Sequence, residues 1–320
     1  MVDSARRTSR SALAAAAVTV VLWASAFVAI RAAAPHFSPG ALALGRLLVG
    51  SACLLAVLLV RRQGLPPRGA WPGIVISGVL WFGLYMITLN WGERLVDAGT
   101  AAMVINVGPI IMALLGGWLL HEGFPPRLMA GLAVSAAGAV VVGVSMSGGG
   151  RSSLLGVALC LVAALSYAAG VVGQKPALRH ASALQVTTFG CVIGTVACLP
   201  FAGQLISEVQ DAPVSMILWV GYLGAFPTAL AFTTWAFALA RSTAGRMGST
   251  TYAVPAVVVL LSWIFLGEVP GLLTALGGVL CLAGVAVSRS TSRRAPTPAA
   301  APTEPSASPS VESATQQADR

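Results

Sequence analysis

Residues 99–142 read GTAAMVINVGPIIMALLGGWLLHEGFPPRLMAGLAVSAAGAVVV, an apolar run with a central proline, a glutamate at a short break, and a second apolar run with spaced glycines. The same plan returns at residues 245–288, which read GRMGSTTYAVPAVVVLLSWIFLGEVPGLLTALGGVLCLAGVAVS. Several residues recur at one constant offset of 146: Pro109 and Pro255, Glu122 and Glu268, Gly131 and Gly277, Gly138 and Gly284. Because proline and glutamate are scarce in apolar segments, the recurrence predicts a duplicated chain.

The composition indicates the class of protein. Of the 320 residues, 57% are hydrophobic and 9% are charged, whereas soluble domains carry about 25% charged residues. A bilayer accepts such a chain, since a spanning helix needs about 20 apolar residues. The net charge of +9 would suit nucleic-acid binding, but the basic residues lie at the ends of apolar segments and the connections are short. We therefore expect an all-α, polytopic membrane protein that meets the lipid bilayer and no nucleic acid.

Ten apolar segments, separated by short connections rich in proline, glycine or charge, are predicted to be transmembrane helices. They are residues 12–31, 39–60, 70–91, 99–120, 127–146, 153–174, 183–203, 214–239, 245–266 and 270–288. Five helices fall in each copy of the repeat. The predicted divisions are a cytoplasmic N-terminal segment, two five-helix repeats, and a tail whose Pro, Ala and Ser content predicts disorder: residues 1–11, 12–146, 153–288 and 289–320.

The basic residues predict how the helices are oriented. With the N-terminus inside, the inner segments near the spans hold fourteen Lys and Arg residues, and the outer connections hold three, Arg31, Arg94 and Arg151. Because cytoplasmic loops carry the excess of basic residues, both termini are predicted to be cytoplasmic, in a multi-pass protein of the cytoplasmic membrane. Since five is odd, the two repeats must enter the membrane in opposite directions, as inverted repeats.

Two prolines near the middle of predicted helices 4 and 9 mark a first candidate site. Pro109 and Pro255 each lack an N–H and disrupt the hydrogen bond to the carbonyl four residues earlier, at Ile105 and Thr251. Inside a membrane such a carbonyl needs a partner from protein, water or ligand. The residues beside these carbonyls, again 146 apart, can both form hydrogen bonds: Asn106 and Tyr252. Either they contact a substrate, or neighbouring helices satisfy the kinks.

Aromatic side chains form a second set of candidates. Helices 3 and 8 each carry a stripe at the spacing i, i+4, i+7, which places its members on one helix face: Trp81, Tyr85 and Thr88, then Thr228, Phe232 and Trp235. Helices 1 and 6 end in WASAFVAIR and YAAGVVGQK, which pairs Trp23 with Tyr167 and Arg31 with Lys175 at an offset of 144. These side chains either line a cavity with aromatic walls and a few polar groups or pack the helices together.

Three charged residues have two interpretations each. Arg46 lies seven residues into predicted helix 2, roughly 10 Å deep at about 1.5 Å per residue, and either binds an anion or makes a structural bond. Glu122 and Glu268 end corresponding helices and either carry protons or fix a connection. The five cysteines and three histidines lack metal-ligand spacing, so no metal site and no cofactor are predicted.

Motifs of common enzymes and pumps do not occur in the sequence. It contains no P-loop, no nucleotide-binding glycine fingerprint, no HExxH and no serine-nucleophile elbow, and an ATP-driven pump or a standard hydrolase needs one of these. The chain is therefore not expected to be an enzyme, and no catalytic residue is predicted. Two alternatives remain open: a membrane-embedded enzyme that acts on lipid through Arg46 or the His121–Glu122 pair, and a passive channel for small solutes.

In these features the chain resembles the EamA-type branch of the drug/metabolite transporter superfamily. The matching features are ten predicted helices in two repeats, the WASAF sequence of helix 1, Arg46 in helix 2, and the pattern G-x9-P-x12-E-x8-G-x6-G, which occurs twice. The resemblance covers about residues 12–288. It implies a secondary carrier, often an exporter of amino acids, other small metabolites or drugs. The inverted repeats in turn favour a site near the midplane between the halves and transport by alternating access.

The resemblance also implies a central cavity formed largely by helices 1, 3, 4, 6, 8 and 9. The side chains expected to bind substrate there are Asn106, Tyr252, Trp23, Tyr167, Tyr85 and Trp235. Helix 6 departs from the first repeat, with YAAG in place of WASA, which leaves its contacts open. The sequence does not fix the substrate, the direction of transport, coupling to protons or another ion, or the oligomeric state.

Overall fold

The structure is a computed structural model that describes residues 2–96, 104–146, 153–266 and 271–290. Within these ranges the chain forms helices joined by short connections and contains no β-strand. Glu268 and the predicted tail beyond Ser290 lie outside the described residues. The prediction of an all-α protein is therefore confirmed for the described part of the chain.

The helices are numbered in chain order, and some are built from several consecutive pieces. They are α1 Val2–Ala33, α2 Pro39–Val60, α3 68–95, α4 Gly108–Leu119, α5 Pro126–Met146, α6 Leu154–Ala177, α7 Ala183–Asp211, α8 Val214–Leu239, α9 244–266 and α10 Leu272–Arg289. Helix α1 begins ten residues before the predicted span. Residues 2–33 contain no proline and no glycine, the two residues that disfavour a helix most strongly, so the helix can extend through this whole range.

Seven of these helices are long and apolar enough to cross a membrane, judged by length and composition over the described residues. They are α2, α3, α5, α6, α7, α8 and α10. Two shorter apolar helical stretches are Arg10–Ala26, within α1, and Gly108–Leu119, which is α4. Large apolar side chains such as Leu59 and Leu154 are strongly exposed on the outside of the bundle, as expected for surfaces that face lipid. That all ten predicted segments cross the membrane stays a prediction.

Two helices contain a π-helical segment, and the two segments correspond. They span Gly78–Leu84 in α3 and Gly224–Leu230 in α8, and their residue numbers differ by 146, the offset of the repeat. π-helical turns are rare and occur often at functional sites. Their recurrence extends the repeat to α3 and α8, where sequence identity alone did not show it.

The glycines that begin these π-helical segments allow two matching helix contacts. A Cβ atom on Gly78 would lie 2.9 Å from the carbonyl oxygen of Gly190 in α7, and one on Gly224 would lie 2.7 Å from that of Arg46 in α2. Only glycine permits so close an approach of two backbones. Arg46 and Gly190 are 144 residues apart, so α2 packs on α8 as α7 packs on α3.

A third matching contact joins α5 and α10, which pack along each other. The hydroxyl of Ser135 donates to the carbonyl of Cys281 at 3.0 Å, and the Cys281 thiol donates to the carbonyl of Ser135 at 3.6 Å. These two residues lie 146 positions apart. Each therefore contacts its own counterpart in the other half of the chain.

Candidate functional site

The aromatic stripes predicted on α3 and α8 meet in the middle of the bundle. The ring centroids of Trp81 and Phe232 lie 4.6 Å apart, and those of Trp81 and Trp235 lie 5.8 Å apart. Trp23 of α1 packs on Trp235 at 5.0 Å, and Tyr167 of α6 packs on Trp81 at 5.7 Å. We call this group the central aromatic cluster: Trp23, Trp81, Phe82, Tyr85, Tyr167, Phe232 and Trp235. It brings together four of the six residues predicted to bind substrate.

Burial within the central aromatic cluster is uneven. Trp81 and Trp235 are each only 1% exposed, whereas Trp23 and Tyr85 are half-buried. Thr88, the third member of the α3 stripe, donates its hydroxyl proton to the Leu84 carbonyl of its own helix at 2.7 Å. Its polar group is therefore used locally, and the polar character of the cluster must come from its aromatic residues.

Two polar atoms of the cluster lack partners. The hydroxyl of Tyr167 and the indole N–H of Trp235 are buried and make no hydrogen bond within the described part of the chain. Thr251 faces the Tyr167 hydroxyl. It donates its own proton to the Gly248 carbonyl at 2.7 Å, so it can meet Tyr167 only as an acceptor. Native structures pair nearly all such groups, since an unpaired buried donor costs about 1–3 kcal/mol. These two donors are therefore candidates for substrate contacts.

The other two predicted residues, Asn106 and Tyr252, contact each other directly. Both lie at turns, which interrupt the helix before Pro109 and before Pro255. The Tyr252 hydroxyl donates to the main-chain carbonyl of Asn106 at 2.6 Å, and its side chain is fully buried. The carbonyl that receives this bond is at Asn106 rather than at the expected Ile105, because the chain turns at residues 106–107 before α4 begins. This bond satisfies the main-chain carbonyl at one of the two kinks. A substrate role for either side chain stays a prediction.

Arg46 makes a buried bond between α2 and α8. Its Nε donates to the hydroxyl of Thr228 at 3.1 Å, and that hydroxyl donates to the carbonyl of Leu223 at 2.8 Å within the π-helical segment. In the other half of the chain the corresponding positions hold Gly190 and Phe82, which pack together without charge. The geometry assigns Arg46 a structural contact at the second π-helical segment, one of its two sequence interpretations.

Glu122 joins three segments at one end of the bundle. It forms an ion pair with Lys175 at the end of α6, and its other carboxylate oxygen accepts a 2.7 Å bond from the backbone N–H of Ala244 at the start of α9. Lys175 also donates to the carbonyl of Ser242. We call these contacts the Glu122 link. Positive φ angles of 55° at His121 and 70° at Gly123 turn the chain so that Glu122 points inward.

Of the two interpretations offered for Glu122, these contacts agree with the structural one, in which the glutamate holds the connection after α4 in place. The sequence did not identify Lys175 as its partner, because the two residues are 53 positions apart and no local pattern relates them. The counterpart Glu268 lies outside the described residues. At the opposite end of the bundle, Glu208 accepts a 2.8 Å bond from the backbone N–H of Ser38, and Arg94 donates to the Phe37 carbonyl at 2.8 Å.

The described helices form a bundle with an apolar exterior. Polar contacts join its segments at both ends, and its aromatic centre holds unpaired hydrogen-bond donors. These are properties expected of a membrane protein that translocates solutes. The model of the EamA-like transporter family matches the chain twice, over residues 10–144 and 154–290. The chain belongs to the EamA-like transporter family, and it is a multi-pass membrane transporter.

Several relatives are similar over most of their length. A protein of Streptantibioticus cattleyicolor named "Probable terminal-alkyne amino-acid exporter" is 35% identical over 84% of this chain and 90% of that protein. "Uncharacterized transporter YdfC" of Bacillus subtilis is 34% identical over 82% and 86%, respectively. "Probable amino-acid metabolite efflux pump" of Salmonella typhimurium is 24% identical over 85% and 93%. The family and these relatives are transporters rather than enzymes.

A solved structure has the same fold. The chain titled "Crystal structure of protein" superposes with a TM-score of 0.73, covering 89% of this chain and 99% of its own length, at 22% sequence identity. At that identity the likeness establishes the fold alone.

Proposed function

We propose that the chain is a secondary active exporter of amino acids, related small metabolites or drugs across the cytoplasmic membrane, and that it works by alternating access. Two relatives support the substrate class, since one is named as an exporter of a terminal-alkyne amino acid and the other as an amino-acid metabolite efflux pump. The absence of a nucleotide-binding motif from the sequence supports a gradient rather than ATP as the energy source.

The proposed architecture is ten transmembrane helices in two inverted five-helix repeats, with both termini cytoplasmic. Residues that contact their own counterparts support this arrangement: Asn106 with Tyr252, and Ser135 with Cys281. In a two-fold arrangement only residues on the symmetry axis can touch their own equivalents. With inverted repeats that axis lies in the membrane plane, and substrate sites lie near the midplane where the repeats meet.

The observation that carries the proposed substrate site is the pair of unpaired donors in the central aromatic cluster, on Tyr167 and Trp235. Aromatic walls with a few polar groups suit a small ligand that has one apolar part. An amino acid with an apolar side chain presents that part to the rings and a carboxylate to the two donors. We infer that this is how the site holds its substrate.

We infer that the Glu122 link closes one end of the route by which substrate reaches the central aromatic cluster. It ties the connection after α4, in the first repeat, to the end of α6 and the start of α9, in the second. With the N-terminus inside, as proposed, this end faces the cytoplasm, and the Glu122 link would hold the two repeats together on that side. Loading of a substrate for export requires the Glu122 link to break, because the two repeats must separate there.

Metabolite profiling tests the proposed function without prior choice of a substrate. Cells that lack the protein and cells that overproduce it are grown in parallel, and the amino acids in cells and medium are quantified. The expected result is a rise of at least one apolar amino acid in the medium of the overproducing cells and its retention by the deletion strain. Unchanged amino acids in both compartments would contradict export of this substrate class.

A further inference from the structure

Gln174, in the last turn of α6, carries a buried amide that the site described above does not use. Its side chain is 0% exposed. Neither the amide nitrogen nor the amide oxygen makes a hydrogen bond to any residue that the structure describes. A primary amide has two donor hydrogens and an accepting oxygen. An apolar side chain at this position would avoid the free-energy cost of leaving them unpaired.

The other half of the chain shows that the fold does not require an amide here. At the offset of 144 that pairs Lys175 with Arg31, the counterpart of Gln174 is Ile30. Ile30 is partly buried and packs against an apolar cluster that contains Ala26 and Phe37. A branched apolar side chain therefore serves the same position of the repeat.

Gln174 lies between the central aromatic cluster and the Glu122 link. It shares a helix face with Tyr167, seven residues earlier and about 10 Å away along the axis. Val171 and Leu178 occupy the same face, and both belong to the central core or pack against it. The next residue, Lys175, holds the Glu122 link. Gln174 therefore lies on the helix face that runs from the central aromatic cluster to the Glu122 end of the bundle.

We propose that Gln174 is a substrate contact at the Glu122 end of the path and that it recognises both charged groups of an amino acid. The amide nitrogen donates to the carboxylate, and the amide oxygen accepts from the ammonium group. The contact forms when the Glu122 link is open, before the substrate reaches Tyr167 and Trp235. The proposal rests on the proposed function and adds a residue that selects zwitterions over molecules with a single charged group.

The test uses purified protein in proteoliposomes with radiolabelled L-phenylalanine as the probe. Gln174→Ile copies the first repeat, and Gln174→Met keeps the length of the side chain, so failure of one variant to fold leaves the other. Gln204→Leu, which changes an exposed glutamine in α7, is the matched control. Each variant is compared with the wild type for apparent KM from each side of the membrane and for melting temperature.

We expect both Gln174 variants to raise the apparent KM from the Glu122 side at least about tenfold, a loss typical of a hydrogen bond to a charged group. The melting temperature should stay equal or rise, because an unpaired amide is removed. Phenethylamine and 3-phenylpropionate, which each lack one charged group, should compete with L-phenylalanine much less well against the wild type than against the variants.

An unchanged KM in Gln174→Met overturns the proposal and indicates that water satisfies the amide. A lower melting temperature in both variants with an unchanged KM also overturns it and assigns Gln174 a structural role. Transport by the wild type, measured in the same vesicles, keeps the two claims separate. If the wild type transports L-phenylalanine and the variants match it, only the Gln174 assignment fails; if the wild type does not transport it, both claims fail for this substrate.

Discussion

The hydroxyl of Tyr252 donates a 2.6 Å hydrogen bond to the main-chain carbonyl of Asn106, the residue that corresponds to it at the repeat offset of 146. The two residues occupy the same turn in their respective halves, shortly before Pro109 and Pro255. The side chain at the turn within α9 thus satisfies a main-chain carbonyl that the turn before α4 leaves without a helical partner. The sequence predicts that both residues contact substrate. The structure shows that they also contact each other and so join the two halves of the chain at their kinks.

Tyr252→Phe tests the structural role of that bond. The change keeps the ring and leaves the Asn106 carbonyl without its donor, so the free energy of unfolding should fall by about 1–3 kcal/mol. If the hydroxyl serves only this bond, the apparent affinity for substrate stays near the wild-type value. Both quantities are measured on the same purified variant, by thermal unfolding and by transport in proteoliposomes. Unchanged stability with weaker affinity would instead assign the hydroxyl to the substrate.

Trp235→Phe and Tyr167→Phe test the two unpaired donors in the central aromatic cluster. Each change removes one donor and keeps an aromatic ring, so the melting temperature should not fall, while apparent affinity should fall about 13- to 160-fold, the equivalent of about 1.5–3 kcal/mol for a hydrogen bond to the carboxylate. Trp219→Phe, a change in α8 outside this cluster, is the control and should leave affinity unchanged. A fall in stability with affinity intact would show that the donors serve packing.

Glu122→Gln tests the Glu122 link as a closure. Loss of the charge weakens the ion pair with Lys175 and shifts the population toward states open at that end, by about tenfold for each 1.4 kcal/mol lost. A cysteine introduced at the buried residue Ala113, in a protein without its native cysteines, should then react faster with a maleimide reagent. Glu208→Gln, at the opposite end, is the control. Equal labelling rates in both variants would contradict a closing role.

The inverted arrangement is tested by the topology of the connections. A reporter that is active only outside the cytoplasm is fused after Gly150, between the two repeats, and after Ser292, beyond α10. Five spans before the first site predict activity there, and ten before the second predict none. An inactive fusion after Gly150, or an active fusion after Ser292, would exclude inverted five-helix repeats.

The sequence predicted the features that are marked by scarce residues at a fixed spacing. It did not predict the features that arise from how the helices pack. The prolines and the offset of 146 identified the Asn106–Tyr252 pair, and the helical spacing grouped the aromatic stripes before the structure showed them in contact. The π-helical segments were not predictable, because their residues are ordinary apolar ones and the cause lies in packing at Gly78 and Gly224. The role of Gln174 was not predictable either, because a polar residue near a helix end is normally solvated and its burial is evident only in the structure.

The central claim, that the chain is a gradient-driven carrier with alternating access, is tested most directly by counterflow. Proteoliposomes that contain only this protein are loaded with unlabelled L-phenylalanine and diluted into a trace of the labelled amino acid, without ATP. An alternating-access carrier predicts saturable uptake and a transient accumulation of label above its equilibrium level, since the outward and inward steps share one site. Uptake that rises linearly with concentration and shows no overshoot, or that requires ATP, would contradict the account.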